Sequence, residues 1–160
     1  MINEIPSGSI RRTVREAFPD LPECSVGELP VLTLAYIGDT VYDLYVRSYL
    51  IQKLDTTAHG THVEAARMVC AAGQASAFRK IEPLLTEEET RVFHRGRNAH
   101  SSSVPKNASV LDYRIATGLE TLFGYLYWTG GDGRLNELMR VILEEMFETK
   151  KGEPGSEGSR

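Results

Sequence analysis

"LTLAYIGDTVYDLYVRSYL", residues 32–50, reads as a helix, yet it places Gly38 and Asp39 in the middle of an apolar run. Glycine in a helix interior costs ~1 kcal/mol relative to alanine. A buried carboxylate without a partner costs far more, or surrenders its charge. Two such residues side by side need a reason that leucine and alanine would not supply. Pro30 suits the first turn of this helix, which is expected to run to about Gln52. Ser25 and Glu28 have capping-box spacing, so an earlier start is also open.

The rest of the chain sets the frame for this helix. A length of 160 residues suggests one domain. With 41% hydrophobic and 25% charged residues, the composition is that of an ordinary soluble globular protein. No apolar run reaches the ~18 residues that a membrane span needs. The opening MINEIPSGSIRR lacks the apolar core of a secretory signal. Cys24 and Cys70 have no metal-ligand spacing, and reduced thiols in a cytoplasmic protein are the simplest reading.

Residues 1–28 carry Pro6, Gly8, Pro19, Pro22 and Gly27 and are expected to be irregular, ahead of a domain over 29–148. After a connection at 55–61, a second helix is expected from about Thr61 to Lys80, with small residues that allow close packing. Thr86 and Glu89 form a capping box that opens a short helix, expected to end at Gly96. Residues 97–109 are polar and read as a loop. A long helix follows from about Val110 to Trp128, with Ile115, Leu119, Leu122, Phe123 and Leu126 on one face. GGDG (130–133) is a turn, and the last helix spans about Leu135 to Phe147 with Leu135, Leu138, Met139, Ile142 and Met146 facing in. Residues 149–160 read as a disordered tail. No strand alternation is present, so the fold class is all-α.

Two carboxylates stand out. Asp39 has Ile37, Val41 and Tyr42 as neighbours and is expected to be at least partly buried. Glu120 sits in "ATGLETLFGYLYW" (116–128) between Gly118 and Gly124. One reading pairs each acid with an arginine, such as Arg47 or Arg114. The other has the two acids converge on a hard cation such as Mg²⁺, which takes oxygen ligands and is often held by one or two carboxylates.

The net charge is −4, but from Arg91 to Arg114 the window is +4, with Asp112 its only acid. "RGRNAHSSSVPKN" (95–107) is either a solvated loop after a helix end or a phosphate-binding loop. In the second case Arg95, Arg97 and Lys106 supply charge, and Asn98 and the serines supply hydrogen bonds. His59, His62, His94 and His100 belong to no His-ligand or His-Asp motif and read as surface or capping residues. Trp128 and Tyr125 read as core or interface.

At this point the motifs combine. "LAYIGDTVYDLYVR" (34–47) resembles the signature helix of the ribonuclease III family, and "LETLFGYLY" (119–127) resembles its second conserved helix. With "LTEEE" (85–89), "RGRNA" (95–99), "PKN" (105–107) and "YR" (113–114), the order is similar to the Mini-ribonuclease III branch. The resemblance covers roughly residues 30–147. It implies an all-helical endonuclease domain without an appended double-stranded RNA-binding domain. It also implies a homodimer whose interface forms a valley for a duplex, and Mg²⁺-dependent hydrolysis leaving 5′-phosphate and 3′-hydroxyl ends. The implied task is maturation of precursor large-subunit (23S) ribosomal RNA, with a ribosomal protein as a candidate presenter of the substrate. By this resemblance Asp39 and Glu120 are the metal ligands, and Arg95, Arg97, Asn98, Lys106 and Arg114 bind RNA.

The departures are specific. Larger family members keep an acid where this chain has Ala35, and an Asp where it has Thr117; the Mini branch shares both losses. Asp43 is left between an outer-sphere role and a pair with Arg47. His100 stands where the branch usually has Lys, which would make phosphate contact there depend on pH. The alternative function is a silent ribonuclease III-fold protein that holds structured RNA without cutting it. Retention of both acids favours the enzyme.

Overall fold

The computed structural model describes residues 5–53, 57–99, 106 and 109–151, with side chains up to Glu145. Over these residues the protein is all-α, with seven helices and no strand. They are α1 (Ile10–Ala17), α2 (Val31–Lys53), α3 (Ala58–Val69), α4 (Ala71–Ile81), α5 (Glu87–Arg97), α6 (Val110–Trp128) and α7 (Asp132–Lys151). None of the described helices is long and apolar enough to cross a membrane.

α6 is the central helix, and α1, α2, α4, α5 and α7 all pack against it. Its Leu119, Leu122 and Phe123 are completely buried, as are Tyr42, Val46 and Leu50 from α2 and Leu135 and Ile142 from α7. Each fully buried side chain of this size contributes ~1.5–3 kcal/mol, so this centre dominates the stability. Phe78 of α4 and Phe93 of α5 stack at 3.8 Å between ring centroids, nearly parallel, and lock those two helices side by side over α6.

Four features differ from the sequence reading. The segment read as irregular contains α1. Ser9 caps it by accepting from the Arg12 N–H, the Ile10 N–H donates to Asp132 at 2.9 Å, and the Arg11 guanidinium lies 4.2 Å over the Trp128 ring. These tertiary partners on α6 and α7 hold a short helix that is marginal alone. The expected helix from Thr61 to Lys80 is two helices, broken at Cys70, whose ψ of 163° is extended. No proline marks the break. Gly73 permits the tight packing at the break: it lies so close to the Arg67 and Met68 carbonyls that any Cβ there would overlap them. The Met68 carbonyl left over at the end of α3 accepts from the buried Tyr42 hydroxyl at 3.2 Å.

Gly96 does not end α5. The helix continues to Arg97 with Asn98 as its cap, and Gly96 is instead a contact with α6. α7 begins at Asp132 and runs to Lys151, past the residues expected to start a tail. Residues 152–160 and the Met146 side chain lie outside the described residues.

The α5 capping box forms as read: Thr86 accepts from the Glu89 N–H at 3.2 Å and Glu89 accepts from the Thr86 N–H at 2.9 Å. Glu89 also binds Arg134 of α7 at 2.8 Å, and that arginine reaches the Leu84 carbonyl at 2.7 Å. Burial pushes the Glu89 carboxyl up, but Arg134 and the Thr86 N–H outweigh it and hold it below the usual carboxylate range. The folded value is the lower one. The stabilisation is therefore complete above the ordinary carboxylate range of about 4.3 and is lost as pH falls through the folded value. Glu89→Gln is expected to lower stability at neutral pH by about 1.5–3 kcal/mol. Its deficit relative to wild type should shrink in acid. Coincident urea midpoints for the two proteins at neutral pH would contradict this role.

Candidate active site

The site begins with two glycines. α2 and α6 cross so closely that a Cβ on Gly38 would overlap the Glu120 carbonyl oxygen and sit 2.6 Å from the Gly124 nitrogen. A Cβ on Gly124 would likewise overlap the Leu34 carbonyl oxygen. Backbone therefore lies on backbone along this seam. Asp39 and Glu120 are carried beside it, one on each helix.

The seam explains the exposure of the acids. Gly38 is buried in the contact, and one step of ~100° round the helix brings Asp39 out at its edge. Asp39 is exposed, whereas the sequence suggested partial burial. Glu120 is half-buried. Burial pushes its carboxyl up to about 8, and the adjacent Asp39 charge and a hydrogen bond with Asp39 add to the rise. A hydrogen bond from Gln74 works the other way. Gln74 of α4 is almost fully buried and donates from Nε2 to Asp39 Oδ1 at 3.3 Å.

Neither acid forms an ion pair with an arginine among the described residues. Arg47 is bound to Asp43 at 2.8 Å, which settles Asp43 as a partner of Arg47. Arg114 is exposed on α6, and its six-residue offset from Glu120 puts it on another face of that helix. The two places where larger relatives keep acids are closed. Ala35 is buried, and the buried Thr117 hydroxyl donates to the Tyr113 carbonyl of its own helix at 3.0 Å. Among the described residues no group of three or more His, Cys, Asp or Glu side chains has metal-site geometry. The donor set is thus two carboxyl groups beside a carboxamide, all hard oxygen or amide chemistry, with no described arginine paired to either acid. That suits a hydrated hard cation.

The basic end of α5 is tied to the same helix. A Cβ on Gly96 would overlap the Thr121 side chain and lie 3.0 Å from Gly118 Cα, so α5 rests directly on α6 one residue from Glu120. Arg95 and Arg97 flank that contact. Arg95 and Asn98 are exposed and Arg97 is half-exposed, and neither arginine is paired with another described residue. Lys106 is exposed, but residues 100–105 and 107–108 around it, His100 included, lie outside the described residues. His59, His62 and His94 are exposed. Trp128 is half-buried and donates to the Cys24 carbonyl at 2.8 Å. Tyr125 donates to Glu88 at 2.7 Å, and burial and that carboxylate push its hydroxyl up to about 12.

Gln74 was not singled out in the sequence. Its signal was available: Gln74, Phe78 and Ile81 fall at i, i+4 and i+7, and all are buried. A carboxamide in an apolar stripe is the pattern to look for. Arg79, which binds Asp112 at 3.3 Å and joins α4 to the start of α6, gave no such signal.

Compared with known families, the chain matches the ribonuclease III domain over residues 32–131, well over half its length. The chain belongs to the ribonuclease III family. It is 44% identical over 130 residues to the Mini-ribonuclease 3 of Clostridium tetani, covering 81% of this chain and 86% of that protein. To the Mini-ribonuclease 3 of Enterococcus faecalis it is 41% identical over 126 residues, covering 78% and 96%. A crystal structure of a protein from Fusobacterium nucleatum superposes with a TM-score of 0.67, covering 74% of this chain and 95% of that one. At 23% identity this last likeness speaks to the fold. Within the ribonuclease III family the protein is of the Mini-ribonuclease 3 type, an endoribonuclease.

Proposed function

We propose that this ribonuclease III protein is a Mg²⁺-dependent endoribonuclease that cuts double-stranded RNA in the cytoplasm and matures precursor 23S ribosomal RNA. The products carry 5′-phosphate and 3′-hydroxyl ends. The observation that supports this best is the juxtaposition of Asp39 and Glu120 across the α2–α6 seam with no arginine between them. Those two carboxylates would hold the cation. When bound, it supplies a water of lowered pKa and positive charge for the leaving oxygen.

The chain's own residues do the rest. The α2–α6 contact fixes the two carboxylates on rigid helices, so neither has to be ordered during the reaction. Arg95, Arg97 and Lys106 neutralise phosphates, and Asn98 and Arg114 add a hydrogen bond and a further charge. Contacts of this kind read A-form shape rather than sequence. The catalytic unit is residues 29–148, with α1 clasped onto it through Trp128. It works as a homodimer, for which α2 offers an outer face with Leu32, Leu44 and Ile51 exposed and Tyr36 80% exposed. A ribosomal protein would act by presenting the RNA.

The deciding assay is incubation of a long duplex RNA with the protein, with and without Mg²⁺, followed by end analysis. Metal-dependent shortening with 5′-phosphate ends is expected. Duplex binding without cleavage over a broad range of Mg²⁺ would favour the silent RNA-binding protein instead. A second measurement concerns the basic residues. Arg95→Ala or Arg97→Ala is expected to flatten the dependence of log affinity on log salt by about one unit for each phosphate that the arginine neutralises. An unchanged slope would take that arginine off the RNA surface.

A further inference from the structure

We propose that the Gln74 carboxamide is a positioning residue that holds Asp39 and Glu120 in a cation-ready arrangement. The inference rests on the reading of these two acids as metal ligands. Three observations carry it. Gln74 is almost fully buried, so its side chain is fixed by packing and its amide cannot drift into solvent. Its Nε2 donates to Asp39 Oδ1 across helices, at 3.3 Å. The second acid, Glu120, stands at the same helix crossing, where its backbone carbonyl meets Gly38, the residue before Asp39.

The chemistry favours an amide here. A carboxamide NH₂ has two donors, and a carboxylate can only accept. The group that holds Asp39 can therefore donate beside Glu120 without adding charge. An arginine in the same place would answer the negative charge and compete with a cation. A lysine would do the same. An apolar side chain would leave Asp39 without its donor and free to turn away from Glu120. Glutamine holds the geometry and leaves the net charge of the pair for the incoming ion.

The fold is arranged to deliver this group. Without the break at Cys70, α4 would continue the line of α3. The break turns the chain, and Gln74 enters the first turn of α4 with its N–H bonded to the Cys70 carbonyl at 2.9 Å. Gly73 beside it is the residue that lets α4 press against the end of α3. The break that the sequence did not announce is thus what aims Gln74 at the two acids.

The test compares wild type, Gln74→Met and Asp39→Asn in the absence of RNA. Methionine conserves length and approximate volume and removes the donors. Mg²⁺ and Mn²⁺ affinity is read by calorimetry on metal-free protein, beside the thermal midpoint and duplex binding without metal. Gln74→Met is expected to weaken cation binding by about 10–100-fold, the usual effect of losing a group that orients a ligand. Its duplex affinity should be unchanged, and its cleavage rate should return to within a few-fold of wild type at saturating Mg²⁺. Unaltered cation affinity in Gln74→Met, with wild type binding and Asp39→Asn not binding, would overturn the positioning role alone. Wild type that binds no cation would overturn the metal reading and this inference with it. A purely packing role predicts a lower thermal midpoint with cation affinity intact, and that result also overturns the proposal.

Discussion

Asp39→Asn is expected to reduce cleavage of duplex RNA on the order of 10³-fold or more while leaving the fold and duplex binding in place. A catalytic cation supplies several kcal/mol of transition-state stabilisation, and each 1.36 kcal/mol is tenfold in rate. Asparagine is nearly isosteric with aspartate, and Asp39 is exposed, so little packing changes. The side-chain oxygen of the introduced asparagine still accepts from Gln74. What disappears is the Asp39 charge. Glu120, relieved of its neighbour, should return toward the ordinary carboxylate range, because the Asp39 charge is the second cause of its elevation after burial. Single-turnover cleavage measured beside a metal-free gel shift separates the two functions. A variant that cuts within tenfold of wild type would remove Asp39 from the site.

The second large effect comes from a residue that carries no chemistry. Gly38→Ala would drive a methyl group into the Glu120 carbonyl oxygen and the Gly124 nitrogen. Both are backbone atoms of a buried helix, so they cannot swing aside as a side chain would. α2 and α6 must part, at a cost of about 3 kcal/mol or more, the upper end of the range for overpacked cores. The same displacement moves Asp39 away from Glu120, and a shift of about 1 Å at a reacting centre is enough for a roughly 10²-fold loss of rate. Gly133→Ala is the matched control. It sits in the first turn of α7, where a Cβ meets nothing within 4 Å, and alanine there should leave stability unchanged or raise it by about 0.5 kcal/mol. Equal urea midpoints for Gly38→Ala and wild type would show that the seam can open without penalty.

These two residues also mark what the sequence could reveal. Helix identity was legible wherever a local signal existed: the Thr86–Glu89 box, the apolar face of α6, and the helical pattern of α2. Gly38 and Asp39 were legible as anomalies because they violate helix rules at adjacent positions. The sequence showed that Gly38 needs a reason, and the structure supplies it as the α6 backbone lying against that residue. Features that depend on a second element were not legible. α1 is held by Trp128 and Asp132, more than a hundred residues downstream in sequence. The break at Cys70 has no proline to mark it, and what it requires, a close approach of Gly73 to the carbonyls ending α3, appears only in the folded chain. Gly96 looked like a terminator because glycine after a helix usually is one, but here α6 occupies the space that a side chain would fill. Gln74 escaped notice because its partner, Asp39, lies on another helix.

The glycine seam has a consequence for the order in which the molecule comes into being. α2 lies near the start of the chain and α6 near its end, so their contact is among the longest-range in the fold. Closing a loop of that length is an entropic hurdle that local helix formation does not meet, and such contacts form late. Asp39 and Glu120 become neighbours only when that closure is made. A chain in which that contact is not made can have its helices and its arginines, yet lacks the juxtaposed carboxylates. Under the proposed metal role of that pair, cutting requires this closure to have been made.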